Sequence, residues 1–317
     1  AAAAFATAIS AATAAVTATA PRRRAAAATI TWLMMIFGIA MTAVIAGGAL
    51  DPYSPQRLMM VVMAVVLATW VITTAAVWRI EHGLAPTQPE PDAPGFWEGL
   101  AEVWSDARAR RFTIFVFLSM TAYFMQELIL EPYAGLVFAF TPGESTSLSG
   151  AQNGGVFVGM ALVGIAATGL KFGSLRTWVV AGCLGSAAAL GAIAAIGPMG
   201  PGAPLVPAVV ALGFFNGMFA VAAIGSMMAL AGEGRERREG TRMGLWGAAQ
   251  AIAAGAGGLV GATSADILRV ALGADAPAFG AVFLFEAVIF LAAALMAMRV
   301  IDHKPAARIP AAAIPGE

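Results

Sequence analysis

The sequence predicts an all-α, polytopic membrane protein built as a bundle of helices. Of its 317 residues, 60% are hydrophobic and only 11% are charged, and the mean hydropathy is +0.81. Soluble domains carry a charge on about a quarter of their residues, so this composition indicates a chain that lies largely in lipid. Apolar runs of about 20 residues, the length of a helix that crosses a bilayer, recur along the sequence.

Nine apolar runs define the predicted spans. The first is short and rich in alanine, and a polar segment separates the third run from the fourth. The predicted spans are 1–20, 30–50, 58–78, 112–140, 149–170, 177–196, 205–231, 243–263 and 277–298.

The same pattern divides the chain into four parts. Residues 1–78 are the remainder of an N-terminal helical half, and residues 79–111 form a linker that ends in an amphipathic helix on the membrane surface. Residues 112–298 form a six-helix half, and residues 299–317 form a polar tail. Six-helix halves joined by such a linker are typical of transporters with internal repeats, so we expect about three further helices before this sequence.

The positive charges predict the orientation. Sixteen of the 18 Lys and Arg residues fall on one side of the predicted membrane and two on the other. By the positive-inside rule, the linker and the C-terminus face the cytoplasm, and the segment 141–150, predicted as a loop, faces outward. Trp78, Trp178 and Trp246 fall near cytoplasmic helix ends, where aromatic anchors occur.

The fourth span carries polar groups that membrane helices rarely hold. Gln126, Glu127 and Glu131 lie inside an apolar run, where a carboxylate costs several kcal/mol unless it is neutralised, paired or hydrated. Glu127 and Glu131 are four residues apart and therefore share a helix face. Pro132 lacks a backbone N–H and predicts a break in the helix beside Glu131. The two acids predict either a binding site or a structural lock between helices.

Other polar and small residues lie within the predicted spans. Asn216 predicts an interhelical hydrogen bond, and Glu286 is a candidate membrane acid that needs a partner or a proton. Close helix packing is predicted by three small-residue pairs, Gly155/Gly159, Gly213/Gly217 and Gly257/Gly261.

The sequence lacks the constellations of a soluble enzyme. The single cysteine, Cys183, predicts a buried apolar residue, and both histidines lie outside the predicted spans. There is no catalytic triad, no metal-binding cluster and no basic surface for nucleic acid. We therefore predict a protein that is not an enzyme and has no nucleic-acid partner.

One long run resembles the PucC/LhaA family, the bacteriochlorophyll-delivery branch of the major facilitator superfamily. The run is QELILEPYAGLVFAFTPGESTSLSGAQNGGVFVGM, residues 126–160. Segments 30–58 and 240–261 are similar to the fifth and eleventh helices of that family. The resemblance implies a major facilitator-like bundle in which the nine spans are helices four to twelve of twelve. The first 28 residues depart from the family, because its acidic stretch before the fifth helix is absent here.

The resemblance also implies a function. It implies an assembly factor for light-harvesting antenna complexes that delivers bacteriochlorophyll, bound transiently, or chaperones nascent antenna subunits. Its partners would be antenna polypeptides, reaction-centre–antenna assembly intermediates and the lipid of the bacterial inner (intracytoplasmic) membrane. The alternative is a proton-coupled major facilitator solute transporter that uses the membrane acids. The candidates for pigment or partner binding are Gln126, Glu127, Glu131, Tyr133, Gln152 and Asn153.

Overall fold

The computed structural model describes residues 24–78, 101, 104–170, 172–232 and 239–301. Every regular element in these ranges is helical. The predicted first span, most of the linker and the tail lie outside the described residues.

Eight α-helices make up the described part of the chain. They are α1 (Arg24–Ala49), α2 (Pro55–Val77), α3 (Ala107–Phe138), α4 (Pro142–Gly164), α5 (Leu175–Ile196), α6 (Leu205–Gly232), α7 (Glu239–Leu272) and α8 (Asp275–Val300). A π-helical turn, Ile165–Gly169, extends α4, and a 3-10 turn, Gly197–Met199, follows α5. Each of the last eight predicted spans coincides with one of these helices.

The lengths and compositions of these helices suit a bilayer. Seven of the described helices are long and apolar enough to cross a membrane. In α1 the described apolar segment, Leu33–Ala49, is shorter. No residue of Pro55–Ala75, the apolar segment of α2, is buried, so α2 presents an apolar surface on all sides.

The helices pack in a continuous series that does not follow the chain order. Helix α7 packs on α3, α3 on α8, α8 on α5, α5 on α6, α6 on α4, and α4 on α1. In the core, the ring of Phe219 on α6 lies 6.3 Å from Phe115 on α3 and 6.1 Å from Phe290 on α8. Helices α3, α5, α6 and α8 therefore enclose the centre of the bundle.

Glycines allow the closest of these contacts. A Cβ atom added to Gly159 of α4 would clash with the carbonyl oxygen of Phe214 on α6. One added to Gly217 of α6 would clash with the carbonyl oxygen of Val156 on α4, and one on Gly257 of α7 would meet the α3 backbone. Close helix packing at the three small-residue pairs is confirmed.

The predicted break at Pro132 is wrong. Helix α3 continues through Pro132 and ends only at Phe138, where Ala139 takes a left-handed conformation with φ of 59°. The Ala139 N–H then bonds to the carbonyl oxygen of Ala134. Membrane helices tolerate proline where neighbouring groups and small adjustments satisfy the freed backbone, so Glu131 keeps its helical position.

The predicted loop 141–150 is also wrong, because these residues begin α4. Thr141 is the N-cap residue: its hydroxyl accepts from the Glu144 N–H at 3.3 Å, and a Glu144 carboxylate oxygen accepts from the Thr141 N–H at 2.8 Å. This is a capping box with Pro142 at the first helical position. The polar residues that resembled a loop are the first turns of a membrane helix.

The prediction of interfacial tryptophans is wrong for Trp246. Its side chain is fully buried, and its Nε1 donates a 3.1 Å hydrogen bond to the Thr113 hydroxyl of α3. The Phe112 ring lies 5.0 Å from the Trp246 ring. Trp178 is half-buried and Trp78 is 72% exposed. Trp246 therefore fastens α7 to α3 within the bundle.

Candidate functional site

The polar residues predicted as one group on α3 lie on two different faces. Gln126 and Tyr133 point into the bundle and are fully buried, whereas Glu127 and Glu131 are exposed. Successive residues of an α-helix are about 100° apart, which accounts for the separation of Gln126 from its neighbour Glu127. The two acids share one face, as predicted, and Gln126 belongs to the interior.

One of the exposed acids, Glu131, is tied to helix α4. The Ser149 hydroxyl donates a 2.9 Å hydrogen bond to Oε1 of Glu131, and the Asn153 side-chain amide donates a 2.9 Å bond to the Ser149 carbonyl oxygen. Glu127 lies one turn before Glu131 on α3, and Asn153 lies one turn after Ser149 on α4. Because the two helices run antiparallel, Glu127 and Asn153 are at the same depth. We call Glu127, Glu131, Ser149 and Asn153 the acid face.

The acid face is open and bordered by apolar surface. Glu127 and Glu131 are exposed in the described part of the chain, and Tyr123, one turn before Glu127, is partly exposed. Leu128 and Leu136 of the same helix are 57% and 50% exposed. Carboxylate oxygens on an apolar surface can accept hydrogen bonds from a guest or ligate a hard cation such as magnesium.

Tyr133 has its partners inside the protein. Its hydroxyl donates a 2.8 Å hydrogen bond to the carbonyl oxygen of Ile193 on α5. Its ring lies 5.5 Å from that of Phe279 and 5.0 Å from that of Phe283, both on α8. With no exposed surface, Tyr133 packs α3 against α5 and α8. Its predicted role in binding stays a prediction.

The predicted pair Gln152 and Asn153 is divided between two surfaces. Gln152 is buried, and its carbonyl oxygen lies against Gly213 of α6. Asn153 is half-buried and belongs to the acid face through its bond to Ser149. Ser149 also belongs to the acid face, but it was not among the predicted binding residues. Its spacing of four residues from Asn153 is the signal that would have identified it once a helix was recognised there.

Two further polar residues lie at the centre of the bundle. Asn216 of α6 is fully buried and accepts a 2.8 Å hydrogen bond from the Ser186 hydroxyl of α5, which confirms the predicted interhelical bond. Glu286 of α8 is fully buried, and neither carboxylate oxygen has a hydrogen-bond partner in the described part of the structure. Ser186 was not predicted, because a lone serine in an apolar helix is common.

Metal ligands do not cluster in the described ranges. No group of three or more His, Cys, Asp or Glu side chains there could hold a metal ion.

The fold and this site define a multi-span helical membrane protein with two acids on an open face of its bundle. A family profile described as "PUCC protein" matches residues 2–304. The chain belongs to this family, which confirms the resemblance noted in residues 126–160.

Individual relatives support this assignment. The bacteriochlorophyll synthase 44.5 kDa chain of Rhodobacter capsulatus is 65% identical over 293 residues, which cover 92% of this chain and 68% of that protein. Protein PucC of Cereibacter sphaeroides is 30% identical over 274 residues, which cover 84% of this chain and 57% of the relative. Protein PucC of Rhodobacter capsulatus is 27% identical, with 84% and 59% covered. The chain thus spans 57% to 68% of the length of these relatives.

Proposed function

We propose that this protein is a membrane assembly factor for bacterial light-harvesting antenna complexes. In this proposal it delivers bacteriochlorophyll to nascent antenna subunits or chaperones those subunits in the inner (intracytoplasmic) membrane, with the C-terminus in the cytoplasm. Membership of the PUCC protein family supports the proposal, as does a relative whose name refers to bacteriochlorophyll. Although that name contains the word synthase, we propose an assembly role without catalysis.

We further propose that the bundle belongs to a twelve-helix, major facilitator-like fold. Helices α1 to α8 would be its fifth to twelfth helices, and the series of packed helices from α3 to α8 would be its C-terminal half. In such folds the two halves face each other across the site. The acid face on α3 and α4 would then look toward the guest.

The observation that carries the proposal is the open acid face. Glu131 is held by Ser149, whereas Glu127 is exposed and has no hydrogen bond to another described residue. The magnesium of a chlorin is a hard cation that takes an oxygen or imidazole ligand. Glu127 is therefore the oxygen donor best placed to meet a pigment or the polar end of an antenna peptide.

The arrangement also suits release of the guest. A single carboxylate at the surface, without a closed set of ligands, binds more weakly than a site with several converging groups. An assembly factor must hand its cargo on, so weak binding is an advantage. Gln126, Tyr133 and Gln152 would support the face from inside without touching the guest.

The test compares acid-face variants in a phototrophic host that lacks its own copy of the protein. Glu127→Gln and Glu131→Gln should lower the antenna absorption several-fold while the amount of the protein in the membrane stays unchanged. Asp266→Asn is the matched control, since it neutralises an exposed acid on α7 that pairs with Arg269 at 3.4 Å. Wild-type antenna levels in both acid-face variants would contradict the proposal.

A second test separates assembly from solute transport. Protein purified in mild detergent should carry bacteriochlorophyll or antenna polypeptides, and Glu127→Gln should reduce the amount that co-purifies. Pigment-free protein that takes up protons when a solute is added would instead support the proton-coupled transporter.

A further inference from the structure

Two contacts of Tyr133 fix the register of α3, α5 and α8. The Tyr133 hydroxyl of α3 bonds to the Ile193 carbonyl oxygen of α5, and the Tyr133 ring packs at 5.5 Å on Phe279 of α8. These residues therefore lie side by side at one level of the bundle. Helices α3 and α5 are separated by two connections in a bundle of spanning helices and run in the same direction. Helix α8 is separated from α5 by three connections and runs in the opposite direction.

A step of seven residues along each of these helices reaches a second level of the bundle. Seven residues complete two helical turns to within about 20°, over about 10.5 Å, so they return to the same face. The step starts from Tyr133, Ile193 and Phe279 and goes toward the middle of each helix. It reaches one polar residue on each: Gln126 on α3, Ser186 on α5 and Glu286 on α8.

A fourth residue joins this level directly. Asn216 of α6 accepts a 2.8 Å hydrogen bond from Ser186. All four residues are 0% exposed. Both polar side-chain atoms of Gln126, the Asn216 Nδ2 and both carboxylate oxygens of Glu286 have no hydrogen-bond partner in the described structure. We call Gln126, Ser186, Asn216 and Glu286 the buried polar cluster.

No basic side chain in the described part of the chain lies at this level to pair with a charged Glu286. Contacts of Gly261 with Met125 align α7 with α3 and put Arg269 about two turns away. The other basic side chains described on the helices packed around Glu286 lie ten or more residues along those helices from the cluster. They are Arg108, Arg110, Arg111, Arg176 and Arg299.

The other titratable groups on these helices do not supply a charge either. Cys183 lies one turn from Ser186, and Tyr133 lies two turns from Gln126 and donates its proton to a carbonyl oxygen. Glu127 is on the exposed side of α3, about 100° around the helix from Gln126. An unpaired carboxylate in such an interior carries a large desolvation cost, which a neutral carboxylic acid avoids.

We infer that the buried polar cluster is a proton-binding site in which Glu286 is a carboxylic acid bridged by enclosed water to the amides of Gln126 and Asn216. The acid offers one O–H donor and the amides offer N–H donors and an oxygen acceptor, so donors and acceptors match through water. This inference does not depend on the proposed function, because the cluster and the acid face lie on different sides of α3.

The ligands favour a proton over a metal cation. Asn216 Oδ1 is already engaged by Ser186, which leaves the Glu286 carboxylate and one amide oxygen of Gln126. Hard cations such as calcium and magnesium collect six or more oxygen ligands, including waters. A proton requires only the one carboxyl group and its hydrogen-bonded neighbours.

Infrared difference spectroscopy tests the inference. The spectrum of the purified wild-type protein minus that of Glu286→Gln should contain the carbonyl-stretch band of a carboxylic acid, at neutral and at mildly alkaline pH. The band should shift in heavy water because the acid carries an exchangeable proton. Carboxylate bands in its place would overturn the inference. Asp266→Asn is the control, because it removes an exposed acid that pairs with Arg269, and its difference spectrum should lack the carboxylic-acid band.

Two neighbours test whether the four residues form one site. Gln126→Leu and Ser186→Ala should each shift the frequency of the Glu286 acid band, because they change its hydrogen bonding through water or through Asn216. If neither variant shifted the acid band, the claim that these residues form one site would be overturned.

Thermal stability supplies a second measurement. The unfolding temperature of Glu286→Gln should be near the wild-type value. If sodium stabilised the wild-type protein and Glu286→Gln abolished this effect, the site would bind a cation and the inference of a proton site would be overturned.

Discussion

The hydroxyl of Ser149 donates a 2.9 Å hydrogen bond to Oε1 of Glu131, across the two helices that carry the family-like run. Helices α3 and α4 make few other contacts with each other, although they are consecutive in the chain. The bond therefore fixes how one carboxylate is presented on the acid face. It also connects the segment QELILEP with the segment TPGESTSLSG.

The first prediction concerns this bond. Ser149→Ala should lower antenna absorption, because the Glu131 carboxylate loses the donor that orients it. The loss in stability should be about 0.6 kcal/mol, the average for interhelical hydrogen bonds in a membrane protein. The double variant Ser149→Ala, Glu131→Ala should be no worse than Glu131→Ala alone, because alanine at position 131 already removes the acceptor of the Ser149 hydroxyl.

The measurement is antenna absorption per molecule of the protein in the membrane. Thr146→Ala is the matched control: it removes a hydroxyl from the same helix that bonds only within that helix, to the Pro142 carbonyl oxygen at 2.7 Å. Equal losses in Thr146→Ala and Ser149→Ala would mean that helix α4, and not the acid face, is responsible.

The second prediction uses two adjacent glycines of α4. Gly155→Ala should destabilise the protein by about 1–3 kcal/mol, because the new methyl group would clash with the Val210 carbonyl oxygen and approach Phe214 N at 3.0 Å. Gly154→Ala should be neutral or stabilising, since its Cβ atom meets nothing within 4 Å. Thermal unfolding in detergent measures both. If Gly154→Ala lowered the unfolding temperature and Gly155→Ala did not, the packing of α4 on α6 would be contradicted.

Hydropathy predicted the positions of the helices well but their ends less well. Helix α4 begins at Pro142, seven residues before the predicted start at Ser149, because its first turns are polar. The signal was present in the sequence as a capping box, Thr141 to Glu144, with proline between them. Helix α7 extends to Leu272, beyond the predicted residue 263, since charged residues near a helix end do not stop the helix.

The site was predicted in part, for a physical reason. Helix periodicity alone places Glu127 and Glu131 on one face and Gln126 on another. Whether a face is open or buried depends on which helices pack beside it, and a single sequence does not specify that order. The contacts of Ser149 with Glu131 and of Ser186 with Asn216 need the register between helices, which only the packed structure supplies.

The third prediction concerns Tyr133, whose hydroxyl bonds to Ile193 inside the bundle. Tyr133→Phe should lower stability by about 1 kcal/mol through loss of the 2.8 Å bond to Ile193, and antenna absorption per molecule should not change. Tyr123→Phe, on the exposed side of α3, should leave stability unchanged. If Tyr133→Phe instead lowered antenna absorption at full stability, Tyr133 would act in binding.

The last prediction concerns the contact between α3 and α7. Thr113→Val keeps the side-chain shape but removes the acceptor of the buried Trp246 Nε1–H, which lies 3.1 Å from the Thr113 hydroxyl oxygen. A buried donor left without a partner costs about 1–3 kcal/mol, so unfolding should begin at a lower temperature. Thr121→Val is the control on the same helix, because that exposed hydroxyl bonds only to the Phe117 carbonyl oxygen, at 2.8 Å. Thermal unfolding in detergent should therefore separate the two variants, and equal stability of both would show that the Trp246 bond adds nothing to the α3–α7 contact.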